Sequence, residues 1–224
     1  MTTGVLIPPD RGAANLVDDV LGKTLAAHDA GVSQFWLGQQ LDYDAISLAA
    51  VIGTAIPDIA VGTSVVPINP RHPLIVAAAA QTAQAATHGK FSLGLGLGVP
   101  FFEESVFGLT TSKTVQRLRE YLMVLRAIRD ERTVNFHGSQ LTAVDPSLVP
   151  VALAGGTPFP LYVAAMGPRA AGHRRVGRRD GACQRRAPHH RGIHRPDHQF
   201  SGRRCRAPAA THHRDGQCRG HRRC

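Results

Sequence analysis

With 224 residues and 43% hydrophobic side chains, the chain can bury one good core, as a single domain or as two small ones. Its formal charge of +10 points, on average, to a nucleic-acid or membrane-surface partner, yet residues 171–224 hold 15 arginines and no lysine against three aspartates and no glutamate. Residues 1–170 are left with 11 basic and 13 acidic groups, a net charge of −2, so the whole excess belongs to the tail.

Taken in chain order, strand-like and helix-like segments alternate. Gly4 to Ile7 forms a short strand closed by Pro8-Pro9. Residues 13–29 place Leu16, Val17, Val20, Leu21 and Leu25 on one helical stripe, and Gly31 stops the helix. Gln34-Phe-Trp-Leu37 is a second strand, followed by a helix from about Tyr43 to Thr54. A third, buried strand runs from Ile59 to Val66 and ends among Pro67, Pro70 and Pro73. The Ala-rich stretch from Leu74 to Thr87 is helical and closes at His88-Gly89. Phe91-Ser-Leu-Gly-Leu-Gly-Leu-Gly98 is a fourth strand, with glycines where backbone must come close to something. Lys113 to Arg129 is amphipathic, apolar at Val115, Leu118, Leu122, Leu125 and Ile128. A hairpin-like excursion around Val134 to Gly138 precedes a fifth strand, Leu161 to Ala165, and Gly167-Pro168-Arg169 opens the next helix.

Five apolar strands alternating with helices fit the N-terminal portion of an α/β (β/α)8 TIM-type barrel. A doubly wound open sheet fits the same periodicity, and the pattern alone does not separate the two. Residues 1–170 are read as this barrel segment, strands one to five. The start lacks a basic segment followed by an apolar one, the most apolar helix is interrupted by Gln81 and Gln84, and no cysteine precedes residue 171. The expectation is a cytoplasmic protein with neither a membrane partner nor a disulfide framework.

Residues 171–224 are a different text. Val176, Ile193 and Phe200 are their only large apolar groups, so the expectation is a disordered basic tail. Cys183, Cys205, Cys218 and Cys224 are separated by 21, 12 and 5 residues, without the paired ligands of a structural zinc site, and no metal is assigned. Arginine-rich sequence neutralises phosphate without specificity, and this one lacks interleaved aromatics, so no specific nucleic-acid partner is assigned. Arg, Ala, Gly, Pro, His and Cys without Lys is the composition of a GC-rich gene read out of frame. It predicts a frameshift near codons 169–172, which translation of the other frames tests.

The block Pro70-Arg-His-Pro73, the Ala-rich helix, Gly89-Lys-Phe91 and Leu93-Gly-Leu-Gly-Leu-Gly98 resembles the bacterial luciferase-like oxidoreductases. The closest likeness is to the branch using the 8-hydroxy-5-deazaflavin coenzyme F-420. Gly4-Val-Leu-Ile-Pro8, Phe35-Trp-Leu37, Phe136-His-Gly138 and Leu161-Tyr-Val-Ala-Ala-Met-Gly-Pro-Arg169 add to the likeness, in the family's order. The resemblance implies hydride transfer between F-420, or FMN as the alternative, and a small organic substrate, or a flavin-dependent monooxygenation, with the reactivity supplied by the coenzyme. It implies a bulge with a non-proline cis peptide in strand three, within Gly62 to Val66, where Ser64 and Val65 support the coenzyme ring. Gly96, Gly98, Ala164, Ala165 and Gly167 let backbone approach the coenzyme, Trp36 and Gln40 line it, and Arg169 meets its phosphate. Gln39 and His72 are the candidate catalytic groups, His72 as a proton handler. A homodimer through barrel helices is allowed if the barrel completes.

Plainer readings stand beside these. The glycines at 94, 96 and 98 fall short of a dinucleotide fingerprint, because position 99 is Val99 and Pro100-Phe-Phe is not expected to open a helix. They also fit simple relief of packing in a tight barrel. His72 reads equally as a capping histidine, Trp36 as core, and Gln39 and Gln40 as surface polar residues. The alternative function is a non-enzymatic remnant or a basic-tailed nucleic-acid-binding protein. An unfinished barrel would leave strand five as an open edge and reduce stability and activity.

Overall fold

Asn15 accepts a hydrogen bond from the Val17 N–H at 2.9 Å and so fixes the start of α1 (Leu16–Asp29), three residues later than the predicted start. Asp44 does the same for α2 (Ala45–Ala55), accepting from the Ser47 N–H at 2.8 Å. His72 caps α3 (Pro73–Ala86), with Pro73 in the first turn, where its missing N–H costs nothing. Between them lie β1 (Gly4–Leu6), β2 (Gln34–Leu37), β3 (Ala60–Thr63) and β4 (Val66–Pro67). After α3 come β5 (Phe91–Gly96), α4 (Pro100–Phe107) and α5 (Thr114–Arg126). A π-helical turn (Ala127–Glu131), β6 (Asn135–His137), β7 (Thr142–Val144) and β8 (Leu161–Ala164) follow. The computed structural model describes residues 4–110, 112–146 and 148–164; the predicted roles of Ala165, Gly167, Arg169 and the 171–224 tail lie outside them.

The strands run parallel in the order β1-β2-β3-β5, with β8 on the far side of β5 and β4 also pairing with β5. Register is continuous: Trp36 lies opposite Leu6 and Gly62, Gly62 opposite Ser92, and Gly96 opposite Ala164. A doubly wound sheet reverses its strand order at a switch point. No reversal occurs among the described strands, which form a five-strand arc of a (β/α)8-type barrel. Phe35, Leu37, Val61, Phe91, Leu93, Leu95, Leu161 and Val163 alternate onto the helix-covered side. There they build the core with Ile46, Ile52, Val76, Ala80, Tyr121 and Leu125. The opposite face carries Gly4, Trp36, Gly62 and Tyr162, with the Trp36 and Tyr162 rings edge to face at 5.3 Å.

Three expectations change. The α1 stripe is narrower than its pattern: Val17 and Leu25 are 37% and 49% exposed, while Thr24 is buried, its hydroxyl donating to the Val20 carbonyl at 2.7 Å. A helix does open at Pro100, because proline at the first helical position is pre-set for the turn. The third strand is broken between Thr63 and Val66. The hairpin of β6 and β7 forms as expected and is held to α5 by Glu120. That buried carboxylate accepts from Gln116 Nε2, the Ser139 N–H and hydroxyl, and the N–H groups of Gln140 and Leu141, at 2.8–3.1 Å. Burial works against its charge, but these donors outweigh it and bring its pKa down to about 2.

Candidate functional site

From Gly62 to Val66 the third strand advances four residues, while β5 advances three, from Ser92 to Leu95. The extra residue makes a bulge, and the Ser64–Val65 bond inside it is cis, where the resemblance placed it. Thr63 replaces the missing ladder. Its hydroxyl donates to the Gly94 carbonyl and accepts from the Gly94 N–H, both at 2.9 Å. A Cβ at Gly94 would collide with the Thr63 carbonyl, and one at Gly96 would lie 2.5 Å from Val65 Cγ2. These glycines are required, but what approaches them is strand three. The room expected for coenzyme at Gly96 is filled by Val65.

The bulge lies at the carboxyl ends of the strands, where barrel sites are built. Above it opens a cavity of about 900 Å³. Val65, Pro67 and Pro70 line it, with Val99, Phe102 and Phe107 from the α4 segment. Arg11, Gln39, Gln40, Asp42, Tyr43, Asp44 and Arg71 supply the polar wall. Gly98 and Glu103 close the end of β5: Gly98 has φ +78°, and a Cβ there would run into the Glu103 carboxylate. Glu103 is 1% exposed, and Asn69 Nδ2 donates to its Oε2 at 2.6 Å while Oε1 has no partner among the described residues. A second hollow of about 350 Å³, lined by Ser64 and Pro8, shares Arg11, Gln39, Gln40, Tyr43 and Val65.

The charges on the polar wall come in pairs. Arg11 donates to Asp42 at 3.0 Å and to the Gln40 side-chain carbonyl at 3.1 Å, and the Arg11 guanidinium holds the Asp42 carboxyl below its ordinary range. Arg71 donates to Asp44. Partial burial opposes the charge on Asp44, yet hydrogen bonds from Ser47 and Arg71 keep its carboxyl below the usual value. Tyr43 donates to the Gly38 carbonyl at 2.7 Å, and desolvation followed by the nearby Asp42 charge raises its phenol.

The structure thus gathers Gln39, Gln40, Val65 and Gly98 around the larger cavity, and Ser64 around the smaller. Trp36 lies within the arc against Gly62 and Tyr162 and lines neither cavity. Ala164 ends β8 opposite Gly96. Both candidate catalytic groups have other work. Gln39 donates to the carbonyls of Gln40 and Tyr43 at 2.7 and 2.8 Å and accepts from the Ala45 N–H, so its amide braces the loop into α2. The His72 ring accepts from the Leu74 N–H at 3.3 Å through Nδ1. Its Nε2 lies 2.9 Å from the Thr142 carbonyl, so the ring caps α3 away from both cavities.

Sequence reasoning missed Thr63, the Asp44–Arg71 pair and the Phe102–Phe107 pair. The glycine spacing on β5 was the available signal for Thr63, since glycine opposite a strand means a partner pressed close. Asp44, three residues before Ser47, was a readable cap.

A parallel arc, helices outside it and a cavity over a bulged third strand define a protein of the (β/α)8-barrel class. Within that class the chain belongs to the luciferase-like monooxygenase family, whose profile matches residues 1–179, nine residues beyond the predicted boundary. A protein of Mycobacterium tuberculosis described as a candidate coenzyme F420-dependent oxidoreductase is 27% identical over 154 aligned positions, with 64% of this chain and 44% of that protein covered. The coenzyme F420 dependent tetrahydromethanopterin reductase of Methanopyrus kandleri superposes with a TM-score of 0.64 at 20% identity, over 76% of this chain and 53% of the reductase. The oxygenating constituent of 3,6-diketocamphane monooxygenase from Pseudomonas putida, solved with FMN, gives 0.61 at 18% identity, over 74% and 51%. The chain spans about half the length of these relatives. Among the described residues no helix is long and apolar enough to cross a membrane.

Proposed function

We propose that this chain supplies the coenzyme-supporting half of an oxidoreductase that takes coenzyme F420, or FMN, over the Ser64–Val65 bulge and acts on a small organic substrate. One observation carries the reading: Val65, in the bulge of the third strand, lines the cavity at the strand ends. The residues present fit a flat ring with polar edges. Val65 gives an apolar floor under the ring. Gln40, its carbonyl taken by Arg11, keeps amide N–H groups for an acceptor at the ring edge. The coenzyme, when bound, supplies the hydride-transfer chemistry. The chain's own part is to orient and to exclude water: Pro67, Pro70, Phe102 and Phe107 wall the cavity, and Gln39 keeps the Gln40 loop in place. Gly167 and Arg169 are the groups the resemblance assigns to the coenzyme phosphate.

Trp36 is the single tryptophan and stands beneath this floor, against Gly62. Titrating the chain with F420 and, separately, with FMN is expected to quench Trp36 emission saturably, and Val65→Asp is expected to weaken that binding at least tenfold. Absence of saturable quenching by both coenzymes at millimolar concentration would overturn the proposal.

A further inference from the structure

We infer that the organic substrate of this site is uncharged and carries an apolar ring or chain, which packs on the Phe102 and Phe107 side of the cavity. The inference rests on the oxidoreductase reading above and adds the substrate class to it. Phe102 and Phe107 stand five residues apart on α4, with ring centroids 6.1 Å apart and planes at 83°. Both line the cavity, and both remain 40% or more exposed, so their faces are open to an occupant. Aromatic side chains left open on a cavity wall gain most from an apolar partner that displaces water from them.

The polar lining of the cavity argues against a charged substrate. Among the described residues lining the cavity, Arg11 is paired with Asp42 and Arg71 with Asp44, so each of these cations already has its counter-ion. Among the described residues the only other carboxylate lining the cavity is Glu103, whose free oxygen is buried against Gly98 and cannot meet an ammonium group without rearrangement. An ion entering would lose hydration and find no unpaired counter-charge among the described lining residues in return. A hydroxyl or carbonyl oxygen loses little and can share the N–H groups of the polar wall.

Three probes with one bicyclic ring separate charge from shape: 1-naphthol, 1-naphthoate and 1-naphthylmethylammonium. Binding to the full chain is followed by calorimetry at pH 7, with FMN titrated in parallel. The neutral naphthol is expected to bind at least tenfold tighter than either ion, and Phe102→Ala, at an exposed position that leaves the fold intact, is expected to weaken it about fivefold or more. Equal or tighter binding of either ion, or naphthol binding unchanged in both Phe102→Ala and Phe107→Ala, would overturn the inference. FMN binding without naphthol discrimination sinks this inference alone. Failure of FMN and F420 to bind sinks the oxidoreductase reading instead.

Discussion

Replacing Thr63 with valine keeps shape and volume and removes one hydroxyl, which in the native chain closes the ladder across the bulge. The Gly94 N–H and C=O would both lose their partner at a position where Thr63 is 1% exposed, so water does not replace it. Each buried backbone group left unsatisfied costs about 1–3 kcal/mol, which gives about 2–6 kcal/mol for the pair. At about 2–4 °C per kcal/mol for a chain of this size, the melting temperature should fall by roughly 4–24 °C. Urea unfolding followed by far-UV circular dichroism gives the free energy, and the slope with denaturant should stay unchanged, because the surface exposed is the same. Thr63→Ser retains both bonds and is expected within about 1 kcal/mol of the parent. FMN and F420 binding should weaken in Thr63→Val and persist in Thr63→Ser. If Thr63→Val melts with the parent, or Thr63→Ser falls as far as Thr63→Val, the hydroxyl does not hold the bulge.

The two glycines of β5 should respond unequally. Gly94→Ala drives a methyl into the Thr63 carbonyl and should destabilise the fold by about 3 kcal/mol, whereas Gly96→Ala meets a movable Val65 methyl and should shift coenzyme affinity more than stability; calorimetric melting and FMN titration together check this. Glu120 should make the fold acid-sensitive. Its pKa is depressed from 4.5 to about 2, so its contribution is complete above pH 4.5 and is lost as the pH falls towards 2. Glu120→Gln should cost about 2–4 kcal/mol at pH 7 and flatten the dependence of the urea midpoint between pH 5 and 2. A parent and variant with parallel pH curves would contradict this. His72→Ala should cost about 1 kcal/mol through loss of the α3 cap and leave coenzyme binding unchanged, measured by melting and by Trp36 quenching. A large loss of turnover with intact melting would return His72 to the chemistry.

The strands were legible because each is a short apolar run between prolines or glycines: Gln34–Leu37 matches its expected span, and Phe91 and Leu161 begin β5 and β8 as read. What periodicity could not separate, barrel or doubly wound sheet, is settled by strand order, a long-range property with no local signal. The α4 helix escaped because proline was taken as a breaker before Phe101, although it is favoured at a first helical position. Site residues were read less well. Gln39 and His72 were singled out for their chemistry, but whether an amide or imidazole is free depends on neighbours such as Ala45 and Thr142, six and 70 residues away. The Arg11–Asp42 and Arg71–Asp44 pairs span 31 and 27 residues and leave no periodic trace.

The glycine-rich fourth strand marks the site at one remove. Gly94 and Gly96 have their empty side filled by Thr63 and Val65, so they permit the bulge, and the bulge in turn forms the cavity floor. The chain of cause therefore runs from Leu93-Gly-Leu-Gly to the path of strand three, and only then to a ring lying over Val65. This order has a consequence for variation: a larger residue at position 94 or 96 acts on the coenzyme through strand three, so its effect should be relieved by shrinking the side chain it strikes. Gly96→Ala combined with Val65→Ala should recover part of the affinity lost in Gly96→Ala alone. If position 96 instead met the coenzyme directly, the second substitution would only add to the loss.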